Sequence, residues 1–428
     1  MQTLTAQTNT LDKKDESLKT GLAASAGFLT FVAGLNGGWL GPLIPSIAKF
    51  QNLPLSQVGY LVSFLCAGCF ISQLSGPKIL SLLGGKKALI VGSLLLAAGM
   101  VFLGLAKGLP AILISSLLVG LGTGLNSIAG HVAILRYFKE HAASALSKLN
   151  IYYGIGALLA PQIVQLSGAD KGGNYLFVFL VSAFLAALTS VKLKKLSGLQ
   201  DESPEDESPD DESEADKTLP LPVTLSEGRV VTLPLVLVCL VVFLYVGTET
   251  ATATWLFTYM QDNQKLAAQA CSLAVTCLFV GLTSGRLLSI KASKIFKNEQ
   301  VTLAALSIMF AAFMVLNLIK PSLPVNIEFV CLFTSFMIGF GFGPIFPQII
   351  AQTAALVNNR PPLVSKYTSY AISSGAVGGI IMPGLAGQIM AHTSIGLTMQ
   401  AITALSATLT IAYLIFLSNN KKYRKVEL

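Results

Sequence analysis

Charged side chains are what this sequence has least of. Asp, Glu, Lys and Arg make up 12% of the 428 residues, about half of their share in an average soluble domain. Hydrophobic residues make up 53%, and the mean hydropathy is +0.68. Apolar runs long enough to cross a bilayer, about 18 residues or more, recur from end to end. The sequence therefore predicts a polytopic, all-helical membrane protein, because helices satisfy their own backbone hydrogen bonds in lipid.

Motifs of other protein classes are missing too. No G-x-x-x-x-G-K-[ST] run is present to bind ATP, and no His and carboxylate spacing indicates a metal enzyme. Cys66 and Cys69 form a C-x-x-C inside an apolar run without further ligands, which favours two packed small residues over a metal or redox site. The polar first twenty residues lack the apolar core of a signal peptide. We expect no enzyme activity, no metal and no cofactor.

The hydropathy pattern predicts twelve transmembrane helices. Their expected spans are 21–48, 56–83, 87–106, 110–137, 143–168, 174–193, 231–260, 266–290, 300–319, 325–356, 363–391 and 394–418.

One long polar segment divides the chain. It contains "QDESPEDESPDDESEADK", which is acidic and poor in apolar residues, so we expect a disordered linker at 194–230. The linker joins a six-helix half at 21–193 to a second at 231–418. A tail at 1–20 precedes them and a basic tail follows at 419–428.

The basic residues predict the orientation. Most of the 29 Lys and Arg lie in the tails, the linker and the loops on one side. By the positive-inside rule that side is cytoplasmic, so both termini lie inside a plasma membrane or bacterial inner membrane. The net charge of +8 then reflects orientation, and we expect no nucleic-acid partner. The opposite loops hold only Lys49, Lys107, Lys171, Lys265 and Lys320.

Three short matches indicate that the halves repeat. "GLGTG" at 120–124 resembles "GFGFG" at 339–343, and "GALLAP" at 156–161 resembles "GGIIMP" at 378–383. "LSGP" at 74–77 resembles "TSGR" at 283–286, at an offset of 209. The matches follow chain order and pair each helix with the sixth after it, which predicts two parallel pseudo-repeats.

The repeat places a carboxylate near the bilayer midplane. "GLN" at 34–36 aligns with "GTE" at 247–249, so Glu249 of the seventh helix matches Asn36 of the first. An ionisable group at this depth favours a protonation site over a structural hydrogen bonder, and both interpretations stay open. Arg286 is expected to lie roughly 18 Å from Glu249 along the membrane normal, too far for an ion pair. It is assigned either to an inner gate or to the membrane interface.

These residues resemble a known family. The twelve spans with a long central loop resemble the major facilitator superfamily over nearly the whole chain. "LNIYYGIGALLAP" (149–161), "YVGTETATATW" (245–255), "GLTSGR" (281–286) and "GFGFGPIFP" (339–347) resemble the fucose–galactose–glucose/proton symporters and their fungal relatives. In "GPKILSLLGGKK" the family's Asp is replaced by Leu80, whereas Lys86 and Lys87 match and are candidate gating residues. The acidic residue of the first helix is replaced by Asn36.

The resemblance implies a secondary transporter that works by alternating access on a small polar solute, with a sugar favoured and a proton coupled at Glu249. An exporter or uniporter of a more apolar molecule, or a non-transporting sensor, are the alternatives. We expect a monomer in the lipid bilayer. His131 is a possible proton relay, with a packing role as the alternative. The candidate substrate-binding residues are Asn36, Trp39, Asn126, Asn150, Tyr152 and Gln348.

Overall fold

The fold is described from a computed structural model of the chain. Its backbone covers residues 2–138, 142–169, 175–195, 233–321, 326–356 and 361–426. Within these ranges, side chains are not described at 2–19, 22, 135–138, 142–148, 195, 354–355, 361–366 and 420–426. The predicted linker lies almost wholly outside the described residues.

The described residues form eleven helices and no strand, which confirms the predicted all-helical class. The helices are α1 (Gln2–Gln51), α2 (Leu55–Leu105), α3 (Leu109–Phe138), α4 (Ala142–Leu166), α5 (Leu176–Lys195), α6 (Leu233–Asp262), α7 (Ala268–Ala292), α8 (Asn298–Leu318), α9 (Ile327–Leu356), α10 (Pro361–His392) and α11 (Ile395–Val426).

Eleven helices accommodate the twelve predicted spans because α2 crosses twice. Its 51 residues would measure about 76 Å as one rod, against about 30 Å of hydrocarbon. Gly84 breaks it with φ 73° and ψ 161°, a conformation that essentially only glycine adopts. Ten helices contain an apolar stretch long enough to cross a membrane. The remaining helix, α4, has side chains described only from Leu149 onward.

Two helices run further than the predicted spans. The backbone of α1 is helical from Gln2, where the sequence up to residue 20 contains neither Gly nor Pro to stop a helix. At the other end α11 continues to Val426. The predicted polar tails therefore extend these helices.

The two halves repeat the same close helix contacts. A Cβ added to Gly120 of α3 would clash with the carbonyl oxygen of Leu65, and one added to Gly339 of α9 would clash with that of Leu278. The glycines are 219 residues apart and their partners 213. Glycines at such positions let two helix backbones touch.

A second pair of contacts follows the same rule. A Cβ on Gly156 of α4 would clash with the carbonyl oxygen of Phe31, and one on Gly378 of α10 would clash with that of Phe243. The predicted offset of 222 for these helices is confirmed by this geometry. Each half therefore packs its first membrane span (α1 or α6) against its fifth (α4 or α10) in the same way.

One predicted match is wrong by one helical turn. Gly68 of α2 packs on the carbonyl of Leu117 as Gly281 of α7 packs on that of Phe336, so these helices align at an offset of 213 and not 209. Small residues recur about every four positions in both helices. An alignment shifted by four residues, about one helical turn, therefore still pairs Ser and Gly with small residues, and the sequence comparison selected the wrong offset.

The halves meet mainly along three helix pairs, α4 with α7, α2 with α10, and α1 with α6, and α1 also touches α7. We call the end of the bundle that holds the turns at 52–54, 263–267 and 393–394 the distal end. The end that holds both chain termini is the termini end. The candidate site lies between these ends, where α4, α6 and α7 converge.

Candidate functional site

The site is built around Glu249, which is partly buried on α6. Its neighbours on the helix offer it little. The hydroxyls of Thr248 and Thr250 donate to the carbonyl oxygens of Leu244 and Val246, 2.7 Å away in both cases. Both threonine hydroxyl protons are therefore used within α6 and are not donated to the Glu249 carboxyl group. Other groups near the carboxyl are Tyr245 on the same helix and residues of neighbouring helices.

Tyr245 lies one turn before Glu249 and on the same face. Its ring is fully buried, stacked on Phe346 at 6.0 Å and edge-on to Phe342 at 5.9 Å. The hydroxyl donates to the carbonyl oxygen of Phe342 at 3.2 Å. The phenol also interacts electrostatically with Glu249 and with Arg286. Tyr245 therefore belongs to the same polar group as the carboxylate of α6 and the guanidinium of α7.

Two glycines of α9 and α7 place Arg286. A Cβ on Gly343 would lie 2.6 Å from the backbone nitrogen of Arg286 and 2.5 Å from the carbonyl oxygen of Leu282. A Cβ on Gly285 would clash with the carbonyl oxygen of Phe340. The missing side chains let α7 and α9 touch backbone to backbone, and this contact carries Arg286 toward Tyr245.

Arg286 lies within electrostatic range of Glu249 and of Tyr245, although no ion pair joins the described side chains of Arg286 and Glu249. The absence of a direct ion pair therefore stays a prediction. Residue counts from the helix ends did not anticipate the electrostatic interaction, because they locate backbones and not the end of a long arginine side chain.

The other half contributes Tyr153 of α4. Its side chain interacts electrostatically with both Glu249 and Arg286. The hydroxyl oxygen lies where α1 has no side chain, 2.7 Å from the position of a Cβ on Gly37. The site thus contains a carboxyl, a guanidinium and two phenols, drawn from α4, α6 and α7. These groups can hold a proton and exchange hydrogen bonds between the two halves.

Two thiols stand beside this group. Cys66 and Cys69 of α2 are free and interact with Tyr153. The sulfur of Cys66 is 3.5 Å from the position of a Cβ on Gly379 of α10. The thiols therefore belong to the wall where α2 faces α10.

Asn36 and Trp39 do not join the site. The amide oxygen of Asn36 accepts a hydrogen bond from Ser182 of α5 at 2.9 Å. Trp39 is fully buried and packs edge-on against Phe179 of α5 at 6.3 Å. The expectation that Asn36 faces the space between the halves is wrong, because its face of α1 packs inside the first half. The glycine face of α1 lies toward α4 instead.

Asn126 and Gln348 also lie inside single halves. Asn126 of α3 is buried, and its amide oxygen would meet a Cβ on Gly92 of α2. Gln348 of α9 donates to the hydroxyl of Ser293 at 3.3 Å, at the termini end of α7. These amides contact neighbouring helices of their own half.

Asn150, Tyr152 and His131 are exposed. The ring of Tyr152 would lie 2.8 Å from a Cβ on Gly27, about two turns along α1 from the Gly34 that packs on the Tyr153 backbone. His131 contacts the carbonyl oxygen of Ser127 with Nδ1 at 2.6 Å. None of the three is placed beside Glu249 by these contacts.

Lys86 and Lys87 follow Gly84 and Gly85, at the break between the two spans of α2. Each residue has an interaction partner. They lie at the termini end.

A tryptophan seals the distal end between the halves. Trp255 of α6 is fully buried and donates its indole N–H to the carbonyl oxygen of Pro383 at 3.0 Å. Its ring fills the spaces that Gly59 of α2 and Gly387 of α10 leave open. We call this contact the distal seam.

The sequence prediction missed Tyr245 and Tyr153. For Tyr245 the signal was present, because a residue four positions before Glu249 shares its helix face. For Tyr153 the signal is weaker. Ala157 and Ala160 continue its face of α4, and both pack on glycines of α1. A stripe of small residues marks the packed side of a membrane helix.

The sequence comparisons agree with this fold. The family model of the Major Facilitator Superfamily matches residues 26–362. Bypass of stop codon protein 6 of Saccharomyces cerevisiae is 26% identical over 389 residues, which cover 85% of this chain and 75% of that protein. The glucose/mannose transporter GlcP of Bacillus subtilis is 24% identical over 382 residues, covering 86% of this chain and 88% of the relative.

A solved structure has the same fold. The structure of a mutant of the nucleoside transporter NupG superposes with a TM-score of 0.75 at 13% identity, covering 93% of this chain and 99% of that one. The match of the family model spans most of the chain, including both halves and the site. This protein belongs to the Major Facilitator Superfamily, and it is an integral membrane transporter rather than an enzyme.

Proposed function

We propose that this protein is a proton-coupled secondary transporter of a small polar solute, with a sugar as the favoured cargo. The carrying observation is the position of Glu249. It lies partly buried in a membrane helix, one turn from Tyr245 and within electrostatic range of Arg286 and of Tyr153 of the other half. Ionisable groups inside a membrane are costly, and they mark ion and substrate pathways.

Glu249 is the proposed proton site, and Arg286 is its counter-charge. When Glu249 is ionised, the two groups together carry no net charge. When Glu249 is protonated, the site carries the positive charge of Arg286 alone, because an arginine is not deprotonated in proteins. This change in net charge shifts the equilibrium between the arrangements of the two halves when the proton binds or dissociates. We assign Arg286 to this pair rather than to an inner gate.

The sugar is supported by a relative that is covered over 88% of its own length and is named a glucose/mannose transporter. The positive-inside distribution supports cytoplasmic termini, and the proposed working unit is a monomer. Phenol, carboxyl and guanidinium groups suit a neutral solute rich in hydroxyls, since they offer both donors and acceptors.

The test uses purified protein in liposomes that contain a pH-sensitive dye. D-glucose, D-mannose and D-galactose are added in turn, and the internal pH is followed. We expect at least one sugar to drive a pH change with wild type. Glu249→Gln should no longer produce the pH change but should still let the same sugar move down its own concentration gradient.

Asp262→Asn is the matched control, because Asp262 lies exposed at the end of the same helix. It should behave as wild type. Full proton-coupled uptake by Glu249→Gln would overturn the coupling assignment. Failure of every sugar to move with wild type would overturn the choice of cargo and favour a more apolar solute.

A further inference from the structure

We infer that Gln162 is a positioning residue that holds the distal end of the transporter closed, by hydrogen bonding α4 of the first half to α7 of the second. The bond involves Thr276 and the carbonyl oxygen of Leu158, and we call these three groups the distal clasp. The inference goes beyond the proposed function, because it holds for any cargo and needs no proton at Glu249.

The distal clasp is a hydrogen-bonded contact between the two halves. The side-chain amide of Gln162 donates to the hydroxyl oxygen of Thr276 at 3.0 Å. The same hydroxyl donates to the carbonyl oxygen of Leu158 at 3.3 Å. Leu158 and Gln162 are one turn apart on α4, so a single threonine of α7 is bonded twice to the same face of α4.

Thr276 differs from the threonine two turns further along the same face of α7. Thr283 also faces α4, because its hydroxyl oxygen lies 2.9 Å from the position of a Cβ on Gly154. The hydroxyl of Thr283 nevertheless donates within its own helix, to the carbonyl oxygen of Phe279 at 2.9 Å. Helical threonines often make this bond four residues back. Thr276 donates across to α4 instead, which indicates that its hydroxyl serves the contact between the halves.

The clasp lies on the distal side of the candidate site. Gln162 is four residues before the end of α4 and Thr276 eight residues after the start of α7, or about 6 Å and 12 Å from the distal ends of these helices. Glu249 is thirteen residues from the distal end of α6, or about 20 Å, and Trp255 is seven. The clasp and the distal seam therefore close the same end of the protein, on different flanks.

The other flank makes the equivalent contact without a hydrogen bond. At the offsets of 222 and 213 found above, Gln162 corresponds to Gly384 of α10 and Thr276 to Ser63 of α2. A Cβ on Gly384 would lie 3.2 Å from the hydroxyl oxygen of Ser63. Gly384 offers no amide, and the buried hydroxyl of Ser63 makes no hydrogen bond to the described residues. The fold thus repeats the contact, and the glutamine adds a hydrogen bond to one of the two flanks.

Opening of the distal end separates α4 from α7 and breaks both bonds of the clasp. An amide, a hydroxyl and a carbonyl then need other partners inside a membrane protein, where unpartnered polar groups are costly. The glycine contacts of the seam separate without this cost, because they are van der Waals contacts. One hydrogen bond shifts an equilibrium about 2- to 13-fold. The clasp therefore biases the protein toward the distally closed arrangement.

Two substitutions test the clasp, each with a matched control. Gln162→Met keeps the length of the side chain but removes the amide, and Thr276→Val keeps the branched shape but removes the hydroxyl. Gln165→Met is the control for the first, because Gln165 is a partly buried glutamine of α4 whose side chain makes no hydrogen bond to the described residues. Thr283→Val is the control for the second, since it removes a bond within α7.

The experiment measures how fast a maleimide alkylates a cysteine placed at Ser56, in the full chain reconstituted in nanodiscs without solute. Ser56 is buried beside Gly387 on the seam flank, so its labelling reports movement of the halves rather than a local disturbance of α4. Peptide mass spectrometry separates this label from those on native cysteines. We expect Gln162→Met and Thr276→Val each to speed labelling at least 3-fold over the Ser56→Cys background, and both controls to stay within 1.5-fold.

The double variant gives a further check. Gln162→Met combined with Thr276→Val should label at the rate of Thr276→Val alone, because the loss of the threonine hydroxyl already removes both bonds. Rates that multiply would show that the two side chains act separately, and would overturn the clasp.

Thermal unfolding and the alkylation of Cys331, which is fully buried inside the second half, report a purely structural role. Background labelling at position 56 in Gln162→Met and Thr276→Val would overturn the inference, even if both variants unfold at lower temperature. The inference would also fail if Cys331 were labelled faster by the same factor, or if the controls sped labelling equally. No sugar or pH change enters this experiment, so its failure leaves the proposed cargo and proton site to their own test.

Discussion

Replacing Gly59 by alanine should open the distal end of the transporter. Gly59 faces the indole ring of Trp255, and a Cβ there would clash with one ring carbon and lie 2.8 Å from the next. The ring is also held by other contacts. Its N–H is bonded to Pro383 at 3.0 Å, and a Cβ on Gly387 would lie 2.9 Å from the same ring.

The size of the effect follows from the cost of overpacking. One extra methyl group in a well-packed interior costs about 1–3 kcal/mol. In the closed seam the whole cost is incurred, whereas in an open seam α2 has separated from Trp255 and the methyl group meets no clash. The equilibrium should therefore shift about 5- to 150-fold toward the open state.

The assay measures the alkylation of a cysteine placed at Ser56. This residue is buried beside Gly387 while the seam is closed, with its carbonyl oxygen 3.2 Å from the position of a Cβ on that glycine. Ser56→Cys should react with a maleimide several-fold faster when it is combined with Gly59→Ala in nanodiscs. Gly85→Ala is the control, because a Cβ there would meet no atom within 4 Å.

Equal alkylation rates with glycine and alanine at position 59 would refute the reasoning, because they would show that the seam tolerates the methyl group while closed. Gly387→Ala gives an independent check. Its Cβ would lie 2.9 Å from the same ring and should produce an increase of the same kind.

Two further predictions concern glycines outside the seam. Gly343→Ala should lower the unfolding temperature and reduce transport, because its Cβ would press on the backbone of Arg286. Gly124→Ala is the matched control from the first half, with a Cβ 2.6 Å from the carbonyl oxygen of Cys69. It should lower the unfolding temperature by a similar amount without moving Arg286. Equal transport losses in both variants would contradict the role of Arg286. Gly84→Ala should destabilise the protein by about 1–3 kcal/mol relative to Gly85→Ala, since φ 73° with ψ 161° is strained for any other residue; thermal unfolding that does not separate the two variants would refute this.

The depth of residues in the membrane was largely predictable from the sequence. Apolar runs mark the spans because lipid admits few polar residues, so all twelve crossings were located. Two of the three repeat matches have the predicted offset. The third match has an offset that is four residues, or one helical turn, too small. Small residues recur about once per turn in these helices, so a sequence alignment shifted by one turn looks equally good.

The facing of residues around each helix was not predictable. In a soluble protein a polar side marks the surface, but in a membrane both the lipid side and the packed side are apolar. Asn36 was therefore assigned to the wrong side of α1, where it bonds Ser182. For the same reason Tyr152 was chosen in place of Tyr153. The electrostatic interaction of Arg286 with Glu249 was missed because residue counts locate backbones and not the ends of long side chains.

The matched offsets have an electrical consequence. At the offset of 213, the counterparts of Glu249 and Arg286 in the first half are Asn36 and Gln73, two amides without charge. In the described spans the charge of the candidate site thus belongs to one half. A membrane potential exerts about 2.3 kcal/mol on each unit charge per 100 mV. Voltage would act mainly on the second half, and would act on it most strongly after Glu249 binds a proton and leaves Arg286 unbalanced.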